Sequence, residues 1–190
     1  MLKFCNPITD NLYRRACALT KGGLNGEIFA ANLGEIDSVT VVNKVVTAIT
    51  MKVNPVTLVP YHWFRIVPKK QTSGIQNTLQ KGTNTSFLNQ ELDFEVLGME
   101  TESKIAFESL INGEAVFIGM DNNDTRHIMG HKSGAEMTEG TIGTGIALDD
   151  LVGSKAKFIA QETFVTPTVP TGISINVLSM DGITIETVTF

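Results

Sequence analysis

Apolar and polar residues alternate over two long segments, and this alternation predicts β-strands with one face in a core. In the segment 87–97 one face carries four apolar residues, which are Leu88, Leu92, Phe94 and Val96. Gln90 interrupts that face, and the opposite face carries Glu91, Asp93 and Glu95, which we expect to meet water, a partner or a lumen. In the segment 154–164, Glu162 similarly interrupts a face formed by Ala156, Phe158, Ala160 and Phe164. Both segments therefore predict long, half-buried strands.

Several shorter segments are rich in Val, Ile, Thr and aromatic residues, which favour strands. These segments are 27–31, 38–42, 44–53, 61–67, 115–120 and 125–131. A final hairpin is predicted at 173–180 and 183–190, around the turn Asp181-Gly182. A two-stranded hairpin is marginal alone in water, so we expect it to dock on its own or a neighbouring subunit. The chain is therefore predicted to be mainly β.

A single helix is predicted at about 102–112. Thr101 is placed to act as the N-cap, and Gly113 suits the position after the C-cap. Four residues share one apolar arc, Ala106, Phe107, Leu110 and Ile111, and Ile105 lies off it. We expect this arc to pack on a sheet.

The segment 71–86 is polar, is uncharged apart from Lys81, and contains Gly74 and Gly82. It is too long for a hairpin turn, so it is interpreted as a loop. Its large apolar residues are only Ile75 and Leu79, which cannot offset the entropy of ordering it, so we expect it to order only against a neighbouring subunit. The candidate interface residues are Ile75, Gln76, Asn77, Leu79, Thr83 and Asn84. A flexible surface loop without a role is the alternative.

The chain has a net charge of −5, a pI near 5.2, and 18% charged residues. Bulk electrostatics therefore argue against a phosphate binder, but an acidic surface allows DNA to slide past without sticking. The neutral polar surface suits either a protein covered by neighbours or a β-rich protein in general. The first residues lack the apolar stretch of a signal peptide, and no apolar run reaches the length of a membrane span, so no membrane anchor is expected.

Motifs that could carry chemistry have a structural interpretation in each case. The run 121–125 supplies oxygen ligands, but Arg126 occupies the position where a calcium loop needs glycine, so a hairpin turn is expected. His127 and His131 lack further ligands at zinc-site spacing and are expected to be polar surface residues. Cys5 and Cys17 form no metal or redox pattern, and the run 140–145 lacks the Gly-Lys-Ser/Thr ending of a nucleotide loop. No enzymatic activity, metal or cofactor is therefore expected.

The order of several short motifs resembles the tail tube proteins of tailed bacteriophages, of the kind found in phages of Bacteroidetes-type hosts. The motifs are Gly22-Gly23 with 28–32, the run 87–92, 116–119 followed by Gly130 and 134–136, 141–147 with Asp149-Asp150 and Gly153, and 157–162. They cover roughly residues 22 to 164, whereas residues 43–86 match poorly. The resemblance implies a β-sandwich or barrel-like domain with an N-terminal arm at 1–164, one flanking helix and long assembly loops, followed by a linker and hairpin extension at 165–190.

The resemblance also implies a structural virion protein that forms rings of six subunits, stacked into a tube through which DNA passes. The implied partners are further copies of the chain, other phage tail proteins, and DNA in transient, non-specific contact. The implied location is the virion tail, after assembly in the cytoplasm of the host bacterium. In that setting Glu91, Asp93 and Glu95 are expected to face an acidic lumen. Alternatives are a tail hub, terminator or connector ring protein of the same fold, and a carbohydrate- or receptor-binding β-module, for which Trp63, Tyr13 and Tyr61 are the available Trp and Tyr residues.

Overall fold

A computed structural model describes residues 22–82, 85–144, 152–179 and 184–190. Within these ranges the protein is mainly β with a single α-helix, as the sequence predicts. The strands are β1 (Leu24–Asn32), β2 (Ile36–Val42), β3 (Val45–Met51), β4 (Phe64–Ile66), β5 (Gly74–Lys81), β6 (Ser86–Leu97), β7 (Ala115–Asp121), β8 (Arg126–Met129), β9 (Glu136–Gly143), β10 (Gly153–Glu162), β11 (Thr168–Val169), β12 (Ser174–Leu178) and β13 (Ile185–Thr189). The helix α1 spans Thr101–Ile111, and a short 3-10 helix spans Leu33–Glu35.

A seven-stranded sheet in the order β2-β3-β11-β8-β7-β1-β4 forms the middle of the molecule. Its neighbouring strands β1 and β7 are antiparallel and are buried on both faces over 28–31 and 115–118. Both stretches are continuous apolar runs, which is the pattern that burial on two faces requires. This sheet therefore has a core on each side.

The first core lies between this sheet and a four-stranded antiparallel sheet in the order β5-β6-β10-β9. The rings of Phe94, Phe117 and Phe158 meet there, with centroid separations of 4.7 Å between Phe117 and Phe158 and 5.8 Å between Phe94 and Phe158. Leu92, Phe94, Ala156, Phe158 and Ala160 are all buried, so the inward faces predicted for β6 and β10 are confirmed. The two packed sheets form a β-sandwich.

The second core lies on the other face of the seven-stranded sheet and is covered by the β12–β13 hairpin. Ile175 and Val177 are buried beside the fully buried Trp63, whose backbone amide donates to Asn176 at 2.8 Å. The expected docking of the hairpin is confirmed, and it docks on its own chain. The turn Asp181-Gly182 lies outside the described residues. Residues 165–190 thus supply β11 to the middle sheet and a covering layer to its core.

The prediction of a loop over 71–86 is wrong. Gly74–Lys81 forms β5, which pairs with β6 over a register running from Gly74 opposite Asp93 to Lys81 opposite Ser86. β6 supplies the backbone partners and an apolar inner face, so Ile75 packs on the first core within one subunit. Pairing with β6 outweighs the low strand propensity of a Gln- and Asn-rich segment.

The helix lies close to its predicted position, but two of its predicted details are wrong. Glu100, not Thr101, occupies the N-cap, and its side chain makes no capping hydrogen bond. Phe107 is buried in the first core and Leu110 packs against it, whereas Ala106 and Ile111 are exposed. The buried part of the helix is therefore one to two side chains wide, and it closes the sandwich next to β9.

Candidate assembly surface of the four-stranded sheet

The outer face of the four-stranded sheet carries alternating rows of acidic and basic residues. Glu91 on β6 is only 8% exposed and lies between Lys157 Nζ at 3.0 Å and Gln76 Nε2 at 3.2 Å. The hydrogen bond from Lys157 holds the pKa of Glu91 below its usual value, against the opposing effect of burial. Four residues further along β6, Glu95 lies 3.5 Å from Lys155 Nζ.

Lysines of β10 neutralise part of the acidic face that the sequence predicts for β6. An acidic excess nevertheless remains across the sheet. The register places five carboxylates on the outer face, from Glu91, Asp93, Glu95, Glu136 and Glu139, against two lysines, Lys155 and Lys157. The face therefore carries three more negative than positive charges. Whether it lines a lumen stays a prediction.

Both edges of this sheet are open among the described residues. β5 forms one edge and β9 the other, and each is eight residues long and largely exposed. Long edge strands are usually protected by charges, proline or a cover, because their free amide and carbonyl groups can pair with another chain. β5 has a single charge, Lys81 at its end, and contains no proline. Its backbone is therefore available to a further strand.

The predicted interface residues divide into two groups. Ile75 packs on the first core, Gln76 bonds to Glu91, and Asn77 exchanges two hydrogen bonds of 3.1 Å with Thr166, so these three are engaged within the chain. Leu79 is 63% exposed and is available for contact. Thr83 and Asn84 lie outside the described residues. What β5 offers a neighbour is thus its backbone edge and Leu79.

Two buried polar residues that interrupt the apolar faces join the sheets of the sandwich. Gln90 accepts a hydrogen bond from the Gly130 amide at 3.1 Å and donates to the carbonyl of Phe164 at 3.0 Å. Glu162 Oε1 accepts hydrogen bonds from the amides of Lys132 and Ser133 at 3.1 and 3.0 Å and from the Ser133 hydroxyl at 3.1 Å. The sequence marked both residues as exceptions but did not show their partners.

His127 and His131 have different environments. His131 is 8% exposed, with its ring 4.9 Å from that of Phe164, so the prediction of a surface histidine is wrong there. Burial lowers the pKa of His131, while the nearby Glu162 acts in the opposite direction. His127 is half-buried and lies 3.5 Å from Asp121 Oδ2.

Asp121 closes the predicted turn at 121–124. Its Oδ1 accepts the backbone amides of Asn123 and Thr125, both at 2.8 Å. Burial acts to raise the pKa of Asp121, but these hydrogen bonds outweigh it and hold the pKa below its usual value. No group of three or more possible metal ligands occurs in the described part of the chain. The two hydrogen bonds to Asp121 Oδ1 place residues 121–124 in the hairpin turn between β7 and β8, as the sequence predicts.

A hollow of about 250 Å³ lies beside this turn and is called here the Asp121 hollow. Its wall includes Gly22, Leu24, Ile75, Asp121, His127 and Thr166.

The glycine-containing motif at 140–145 runs through the end of β9 as far as Thr144, and Gly145 lies outside the described residues. Cys5 and Cys17 also lie outside them. Trp63 is fully buried and cannot stack on a ligand.

Comparisons of the chain with protein-family models, with curated proteins and with solved structures found no match. Over the ranges that the structure describes, no helix combines the length and apolar character needed to cross a membrane.

Proposed function

We propose that this chain is a structural protein that assembles with copies of itself into rings, and that stacked rings form the tail tube of a bacteriophage. The observation that carries the proposal is the four-stranded sheet, which has two open edges and an acidic outer face. The resemblance of the motifs between residues 22 and 164 supplies the identity of the assembly.

The strand directions allow the sheet to continue from copy to copy. Each neighbouring pair within it is antiparallel, so the edge strands β5 and β9 run in opposite directions. In a ring of equally oriented copies, β9 of one subunit therefore lies antiparallel to β5 of the next, and the same contact repeats until the ring closes. The pairing also covers Leu79 and Ile142, which lie on the core-facing side of the two edges and are exposed at 63% and 38%.

Six copies joined in this way form a barrel of about 24 strands, because each contributes its four-stranded sheet. At about 4.8 Å per strand, the backbone wall has a radius of about 18 Å before strand tilt widens it. The sandwich core and the hairpin layer lie on the outside, so the inner wall is the acidic face. Each ring then presents about 18 excess negative charges inward, which repel DNA phosphates and favour sliding.

The test compares two substitutions of equally exposed apolar residues. Leu79→Lys adds a charge to the core-facing side of the β5 edge. Ile105→Lys adds a charge to the outer surface of α1, where Ile105 is 62% exposed. We expect the wild-type protein and Ile105→Lys to form rings and tubes in electron micrographs, and Leu79→Lys to remain a folded monomer. Rings from Leu79→Lys, or a wild-type protein that stays monomeric at tens of micromolar, contradict the proposal. Single rings that never stack favour the hub, terminator or connector alternative.

A further inference from the structure

The most exposed apolar residues of the described chain lie on one ordered turn, residues 53–60, called here the Leu58 turn. Val56 is 87% exposed and Leu58 is 77% exposed. The turn is held by its own hydrogen bonds, since Asn54 donates to Val59 at 2.9 Å and accepts the amide of Leu58 at 2.9 Å. The side chain of Asn54 also accepts the Val56 amide at 2.9 Å. The backbone that carries the side chains of Val56 and Leu58 is therefore ordered by hydrogen bonds within the turn.

Leu58 is unfavourable for folding in two ways. Its φ of +56° lies in the left-handed region, which is a genuine outlier for a bulky residue and favours Gly or Asn. Its side chain is also left in water. Asn at this position removes both costs, so the fold of the single subunit does not explain Leu. Residues that break a local rule in this way concentrate at functional sites.

The Asp121 hollow and the Leu58 turn lie at opposite ends of the pair formed by β1 and β7. Leu24, at the start of β1, pairs with Asp121 beside the hollow. The stem of the Leu58 turn bonds through Lys52 to Glu35, just after the end of β1. Nine residues of extended chain separate these ends by about 30 Å. One end of the molecule thus projects apolar side chains, and the opposite end has a recess.

We propose that the Leu58 turn of one copy inserts into the Asp121 hollow of a second copy. The volume of about 250 Å³ is below that of drug-sized ligand pockets and suits one or two aliphatic side chains. Leu24 and Ile75 provide apolar wall, and Gly22 and Gly23 carry no side chain to fill the hollow. The remaining wall is polar and is formed by Asn77, Asp121, His127 and Thr166. A projection and a recess at opposite ends make a head-to-tail contact, which extends into a filament instead of closing.

The contact deepens the proposed function, because it supplies the axial stacking that ring formation alone does not. Two side chains bury far less than the about 800 Å² per partner of a stable interface, so a single contact is weak. Repetition around a ring multiplies its effect. Stacking into a tube therefore requires that rings form first. The turn of one copy can still come close to the hollow of a second copy when no ring has formed.

Two variants separate the two sides of the contact. Leu58→Asn removes the projection and relieves the backbone, so we expect rings without tubes and a melting temperature above that of the wild-type protein. Gly22→Leu fills the hollow, and the position of its Cβ meets no atom within 4 Å; rings without tubes are again expected. Gln71→Gly relieves another left-handed residue, with φ of +63°, and is the control that should still form tubes. Mixing the Leu58→Asn and Gly22→Leu rings should give paired rings that grow no further.

Proximity is tested independently of rings by disulfide trapping, with Cys5 and Cys17 replaced by serine. A copy with Leu58→Cys and a copy with Gly22→Cys should form a mixed crosslinked dimer under mild oxidation, several-fold faster than Leu58→Cys forms one with Ile105→Cys. If the wild-type protein forms no rings but the mixed crosslink appears, the ring proposal fails and this inference stands. Full-length tubes from Leu58→Asn, or a Gly22→Cys copy that crosslinks only to itself, overturn it.

Discussion

Glu162 and Gln90 connect the two sheets of the sandwich through one turn, residues 130–133. Each lies at a core-facing position of a strand, where an unpaired polar group is costly, and each hydrogen-bonds to the turn that follows β8. The sequence identified both residues as interruptions of an apolar face. Their partners are 29 to 74 residues away along the chain, so only the packing of the sheets shows the network.

Removing the carboxylate of Glu162 tests the strength of this connection. Glu162→Ala leaves the amides of Lys132 and Ser133 without their acceptor, so we expect the free energy of unfolding to fall by about 1–3 kcal/mol. Glu162→Gln keeps one oxygen acceptor and should lose less. Urea denaturation of the two variants and the wild-type protein gives the comparison. Equal stability of Glu162→Ala and the wild-type protein contradicts the role assigned here.

His131 predicts a dependence of stability on pH. Its pKa is lowered in the folded protein, chiefly by burial and further by Lys132, against the opposing charge of Glu162. The unfolded chain, with an ordinary value near 6.5, then binds more protons, so stability present above about pH 6.5 is lost as the pH falls through the lower folded value, by at most about 1.4 kcal/mol per pH unit. We expect His131→Phe to flatten this part of the curve in denaturation measured from pH 8 to 5. An unchanged slope rules His131 out as its source.

At the scale of elements, strands with one apolar face were predictable and polar edge strands were not. β6 and β10 repeat apolar residues at every second position, and their buried faces are the predicted ones. β5 lacks this signal because it is exposed over most of its length and takes its order from pairing with β6. The predicted N-cap was wrong by one residue, because the helix already begins at Thr101 and Glu100 occupies the cap without a side-chain capping hydrogen bond.

The terminal hairpin supplies a matched pair of substitutions. Ile175 is 4% exposed beneath the hairpin, whereas Ile185 on its other strand is 44% exposed. Ile175→Ala should lower the free energy of unfolding by about 2–5 kcal/mol, because it removes buried apolar contacts and leaves a cavity. Ile185→Ala should change it by about 1 kcal/mol or less. Chemical denaturation measures both, and equal small effects show that residues 165–190 add little to the core.

At the scale of the whole molecule, the sequence predicted the mainly β class, and the family resemblance implied the sandwich. Neither gave the order of the strands, because β11 inserts between β3 and β8 from a distant part of the chain. Neither gave the lysines of β10 that partly neutralise the acidic face, since register decides which charges meet. The acidic outer face of the four-stranded sheet is thus a product of topology more than of any motif.

The acidic face makes a prediction about DNA retention by assembled tubes. The double substitution Glu95→Lys and Glu139→Lys raises the charge of this face by four per copy and should make tubes hold short duplex DNA at low salt, protected from nuclease. The double substitution Glu102→Lys and Glu108→Lys makes the same change on α1, where both residues are exposed. DNA bound by that control should remain open to nuclease. Equal protection in the two variants contradicts an inward position of the face.

Electron cryomicroscopy of the assembled wild-type protein shows which strands form the wall and which side chains face the lumen. We expect a tube of stacked rings whose inner wall is one continuous sheet, with β9 of each subunit paired antiparallel to β5 of the next and Glu91 and Glu95 facing the lumen. A wall built from other strands, or rings with these carboxylates on the outside, contradicts this expectation.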